Sequence, residues 1–135
     1  MPVQIYFIAH SFLYNLRNSA LTSKMYSGES VMNGFECTAI VCGNVVTFKV
    51  RGRTSIKLGT SSNYAHCAQF SKLSSLIASK SDRIKRVIIN NKYFGQLRFD
   101  ISTCNLRIGY TFDNSGNAVD IPQDTDFYVE ETFVL

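Results

Sequence analysis

Tryptophan is absent from the 135 residues, and proline and histidine occur twice each. His10 and His66 have no acid beside them in sequence, so neither starts a His-based nucleophile or metal constellation, and both read as structural or surface residues. Cys37, Cys42, Cys67 and Cys104 show no CxxC spacing, which argues against a zinc site. In a reducing compartment such thiols are small buried hydrophobes, and no disulfide is expected. The nearest imitation of a phosphate loop, Gly52-Arg53-Thr54-Ser55, lacks the glycine spacing and the Gly-Lys-Ser/Thr ending that wrap backbone amides around a phosphate. Nucleotide triphosphate binding is thereby unsupported. Near the N-terminus the longest apolar run, Ile5 to Ala9, is too short to span a membrane, and it lacks the basic flank and cleavage site of a secretion signal. The expectation is a cytoplasmic protein with no membrane partner.

What is present is a globular composition: 45% hydrophobic and 18% charged, with ten Phe and seven Tyr. A chain of this length forms one domain, 1–135, burying roughly two-thirds of its unfolded surface. The net charge of +4 hides a segregation. Residues 49–98 hold eleven bases against Asp82 alone, and residues 99–135 hold Arg107 against seven acids. Such asymmetry means either a basic surface for an anionic partner or an acidic stretch that packs on the basic half, within the chain or on a neighbouring subunit.

Along the chain, Val3 to Ala9 reads as a central strand. A helix follows, capped by Ser11, with a stripe of Leu13, Leu16, Ala20, Leu21 and Met25. Residues 35–52 form a hairpin about Gly43-Asn44, a two-residue turn of the type that supplies positive φ. Its register pairs Cys42 with Val45 and continues to Phe35 with Gly52. One face then carries Phe35, Cys37, Ala39, Val41, Val46, Phe48 and Val50. The other carries Thr38, Thr47, Lys49, Arg51 and Glu36, with Glu36 directly opposite Arg51. After a polar connection, Ser62 or Asn63 caps a second helix to about Ser79, with a stripe of Cys67, Phe70, Leu73, Leu76 and Ile77. Strands follow at 84–89, 93–100, 106–112 and 127–134, with turns at Asn90-Asn91-Lys92 and Asp113-Asn114-Ser115-Gly116. The order β-α-β-β-α-β with extra C-terminal strands predicts an α+β ferredoxin-like sandwich whose open face or edge is covered by another subunit.

Two candidate sites emerge. Glu29 and Glu36 flank the Gly34-Phe35 corner, a rim where a carboxylate can hold an ammonium or sulfonium group, although Glu36 also reads as half of a cross-strand ion pair with Arg51. Lys85, Arg86, Lys92 and Arg98, interleaved with Tyr93, Phe94 and Phe99, offer charge and stacking rings for nucleic acid, without the Gly-Phe-aromatic consensus of RNA-binding ferredoxin-like domains.

Phe12-Leu13-Tyr14-Asn15-Leu16, Tyr26 with Glu29-Ser30 ahead of Gly34, Ala68-Gln69 with Leu73 and Leu76, and Tyr110-Thr111-Phe112-Asp113 with Gly116 carry a further signal. In these pieces the chain resembles the small phage S-adenosylmethionine lyases, formerly called hydrolases. The resemblance implies a ferredoxin-like homotrimer with sites between subunits. Such an enzyme cleaves S-adenosylmethionine to methylthioadenosine and homoserine lactone, countering host restriction in the host cytoplasm without metal or cofactor. The family's site tyrosine falls at or beside Phe35, and its glutamate falls near Val45 or Val46, so the resemblance leaves Glu36 as the catalytic carboxylate, with Phe35, Glu29 and Tyr26 binding substrate. The rival expectations are a non-catalytic oligomeric protein that uses the basic 49–98 surface against nucleic acid or an acidic host protein, and a purely structural assembly subunit.

Overall fold

The computed structural model describes residues 23–77 and 81–135. The strand expected at 3–9 and all but the end of the helix expected from Ser11 lie outside the described residues. The strands are β1 (Lys24–Ser27), β2 (Phe35–Cys42), β3 (Val45–Arg53), β4 (Tyr64–Gln69), β5 (Arg83–Ile89), β6 (Tyr93–Asp100), β7 (Asn105–Phe112) and β8 (Asp126–Val134). They form two antiparallel sheets ordered β1-β2-β3-β8 and β4-β7-β6-β5. The β2–β3 hairpin has the register expected from its turn, from Cys42 opposite Val45 to Phe35 opposite Gly52. Gly43 takes φ 63°, a conformation that a side chain would strain. Asn90 and Asn91, at φ 51° and 55°, turn β5 into β6 in the same way.

The ferredoxin-like α+β architecture is not what these residues build. Sheet packs on sheet, and the helix expected from Ser62 or Asn63 to Ser79 is instead β4 followed by a short 3-10 helix, Ser71–Leu76. The cause is a bulge. Between His66 and Ala68 the β4–β7 register shifts, and the neighbouring residues Cys67 and Ala68 are both buried. That shift breaks the alternation of a strand, so Cys67, Phe70 and Leu73 reach the core at a spacing that imitates a helical stripe. Met25, the end of the first expected stripe, lies on β1 and is exposed.

The core sits between the sheets. Phe48 of β3 meets Phe70, Phe99 and Phe133 with ring centroids 5.3, 4.9 and 5.7 Å away, which ties β3 and β8 of one sheet to β6 of the other. One side of the sandwich is closed by backbone: Glu29 and Gln69 exchange two N–H···O bonds of 2.7 Å. Gly28 permits this closure, since a Cβ there would stand 2.7 Å from that of Ala68. On the other side no backbone ladder joins β5 and β8 among the described residues. Lys85 lies 3.8 Å from Glu131 and over the ring of Phe133, and Arg83 Nε donates to the Val134 carbonyl at 2.8 Å.

The charge segregation is largely neutralised inside the chain. The acidic strand β8 pairs with the basic strand β3, placing Glu130 opposite Lys49 and Asp126 opposite Arg53. Arg53 approaches Asp124 and Asp126 at 4.0 and 3.9 Å, and Lys57 reaches Asp120 at 3.7 Å. Each such exposed pair contributes about 0–1 kcal/mol, so their effect is register and solubility more than stability.

Two outcomes follow. Phe48→Ala should lower unfolding free energy by about 3–5 kcal/mol in urea titrations, whereas Thr47→Ala on the outer face, losing a hydrogen bond to Thr132, should cost under about 1.5 kcal/mol. Burial, helped by the Glu36 charge, pushes the Cys37 thiol up to about 12, and burial raises Cys67 and Cys104 as well. Native protein treated with Ellman's reagent at pH 8 should therefore react first at half-buried Cys42, with the other three thiols reacting only on unfolding. Rapid release of four equivalents before unfolding would contradict this burial.

Candidate functional site

Alternation along β2 separates the two residues expected to form the catalytic corner. Phe35 turns inward, buried, with its ring edge-on to Phe127 at 4.7 Å. Glu36 turns outward, and its carboxylate lies 3.6 Å from the Arg51 guanidinium, both side chains being more than half exposed. Adjacent residues of a strand project to opposite faces, so a group held by Glu36 does not rest on Phe35.

Tyr26 and Glu29 do come together. With Phe70, Lys72 and Leu73 they line a cavity of about 370 Å³ at the β1 end of the sandwich. The Glu29 carboxylate is fixed there, accepting from the Ser71 backbone N–H at 3.1 Å and from its hydroxyl at 2.6 Å. Both candidate acids are therefore engaged within the fold.

The outer face of the second sheet gathers a different set. Register places Ile84, Arg98, Arg107 and His66 in one row across β5, β6, β7 and β4. The next row is Arg86, Gln96, Gly109 and Tyr64, and the third is Ile88, Phe94 and Phe112. Phe94 and Phe112 stack at 5.3 Å with their planes 15° apart. Beside them a largely apolar cleft of about 310 Å³ is rimmed by Arg86 and Ile88.

A second bulge builds the other half of this face. Phe94 opposes Phe112 while Gln96 opposes Gly109, so β7 carries an extra residue over this stretch. Tyr110, at φ 50°, is thrown outward, and its ring stands edge-on to Tyr64 at 5.0 Å. Thr111 is driven inward, where its hydroxyl shares a 2.7 Å bond with Thr60 and donates to the Val119 carbonyl at 2.6 Å. Gly109 makes the approach of Tyr64 possible, because a Cβ would collide with the Asn63 carbonyl.

Cations frame the rings. Arg98 lies over the Tyr64 ring at 5.3 Å, and Tyr64 donates its hydroxyl proton to Gln96 Oε1 at 2.6 Å. The Asp100 hydrogen bond, outweighing the desolvation cost and aided by Asp82, pushes Arg98 further up and keeps it charged. Buried Asp100 also holds Arg107 at 3.1 Å, so this ion network is close to neutral. Arg86 and Lys92 have no ion pair to another described residue, and they lie at the Phe94 end of the face.

Of the platform expected from sequence, Arg86, Phe94 and Arg98 share this face, with Lys92 in the adjoining turn. Phe99 is instead in the core, Tyr93 is half-buried against it, and Lys85 is turned to Glu131. Parity along β6 carries that distinction, since Phe94 and Phe99 are an odd number of residues apart and project to opposite sides. Tyr64, Tyr110 and Phe112 are not expected on this face from sequence, because their placement depends on β4 being a strand and on the bulge in β7.

No group of three or more His, Cys, Asp or Glu residues suited to a metal ion occurs among the described residues. Among them, too, no helix is long and apolar enough to cross a membrane. The face sets aromatic rings beside guanidinium groups. Comparison with known protein families and with curated protein sequences finds no match for this chain.

Proposed function

We propose that the protein is a non-catalytic binding protein that holds single-stranded nucleic acid on the outer face of its second sheet. The observation that carries this reading is the convergence of two ring pairs, Phe94–Phe112 and Tyr64–Tyr110, with Arg86 and Arg98 on one face and Lys92 in the turn that adjoins it. Tyr110 and Phe112 are exposed, and aromatic faces open to solvent stack with bases of any sequence at about 1–3 kcal/mol per base, while neighbouring cations take the phosphates. A double helix hides the faces of its bases, so this surface favours an unpaired strand.

Fluorescence anisotropy of a labelled oligothymidylate tests the reading. Wild type should bind with a negative salt slope, Phe94→Ala/Phe112→Ala should weaken binding about tenfold or more, and Lys92→Glu should flatten the slope. Absence of binding at low salt, or equal affinity for duplex, would overturn it. Binding of an acidic protein without any of oligothymidylate would move the assignment to the protein-binding alternative.

A second reading, degradation of S-adenosylmethionine, rests on the cavity shared by Tyr26 and Glu29. There Glu29 would face the substrate's positive charge and Lys72 its carboxylate. Attack by that carboxylate on its own side chain would expel methylthioadenosine and leave homoserine lactone. Incubation with S-adenosylmethionine should then yield methylthioadenosine by chromatography, and Glu29→Gln should abolish it. No product from wild type would end this reading.

A further inference from the structure

We infer that the open seam between β5 and β8 is a self-docking surface on which two copies of this chain meet across a two-fold axis parallel to the strands. On the far side of the sandwich the backbone closes through Glu29 and Gln69. At the seam it does not: among the described residues β5 pairs only with β6, and β8 only with β3. Two strand edges thus stand side by side, and apart from the Val134 carbonyl, which accepts from Arg83, their outward backbone groups can take a further strand.

Between them runs a groove of about 370 Å³, with Arg86, Val87 and Ile88 on one wall and Tyr128, Val129 and Glu130 on the other. Ile88 and Tyr128 are 57% and 55% exposed. Charge selects the occupant. β5 carries Arg83, Lys85 and Arg86 with no acid, and β8 carries Asp126, Glu130 and Glu131 with no base. A β5–β5 or β8–β8 contact would set like charges against each other, which is destabilising, whereas β5 on β8 sets opposites together. A second copy presents both strands, so it supplies both complements at once.

Direction agrees. Within one copy Arg83 lies by Val134 and Lys85 by Glu131, so β5 and β8 run antiparallel across the seam. Rotation about an axis along the strands preserves that sense, and β5 of each copy then lies antiparallel to β8 of the other. Keeping the register of Lys85 on Glu131 sets Arg86 against Glu130 and Ile88 against Tyr128 on the outer faces. Both contacts form together and leave no seam unfilled, so the assembly closes at two copies.

Sedimentation equilibrium of wild type, Arg86→Glu, Glu130→Arg and an equimolar mixture of the two variants tests this. Wild type should be a dimer, and each variant alone should dissociate about tenfold or more readily, because both contacts then oppose like charges. The mixture should recover wild-type affinity, because one contact is native and the other has both charges reversed. Far-ultraviolet circular dichroism of the separate variants, whose altered side chains are exposed, should match wild type and exclude misfolding. A wild-type monomer at 100 μM (about the upper range of such an experiment), a trimer, or no recovery on mixing would overturn the inference.

Discussion

The contact of Phe48 with Phe70, Phe99 and Phe133 is the interaction on which the molecule depends. All four rings are buried, and the partners stand 22, 51 and 85 positions from Phe48 along the chain. Removing such a ring leaves a void that neighbouring backbones, held in ladders, cannot collapse to fill. The alternation Val46, Phe48, Val50 inward and Thr47, Lys49, Arg51 outward follows from this anchoring.

Once that core forms, the charges fall into place. Pairing β8 with β3 sets the acidic end of the chain on its basic middle, so a segregation striking enough in sequence to suggest a highly basic surface is mostly spent on internal pairing. What remains is local: Arg86 and Lys92 beside the stacked rings, and the opposed edges of β5 and β8. Binding on the second sheet and association at the seam both draw on β5, which pairs only with β6 among the described residues, and Arg86 is common to the two.

The expected and observed sites differ for reasons of geometry. Glu36 and Phe35 are neighbours in sequence and strangers in space, because a strand sends them to opposite faces. Tyr26 and Glu29 meet in one cavity, as a shared pocket requires, while Tyr64, Tyr110 and Phe112 converge through bulges that have no local signature as plain as a turn glycine. A bulge between His66 and Ala68 gives a strand the apolar spacing of a helix, and that segment is one of the two helices on which the expected helix-on-sheet architecture rests.

Sequence alone determined the β2–β3 hairpin, its register and the Glu36–Arg51 pair, and it located β5 to β8 within a residue or two, because turn chemistry and period-two alternation act over a few neighbouring residues. Only the tertiary structure decided that β4 is a strand, that acidic β8 lies on basic β3, and that Phe94 stacks on Phe112 while Phe99 is buried. Those outcomes rest on pairing between distant segments, where burial against a particular partner overrides local propensity.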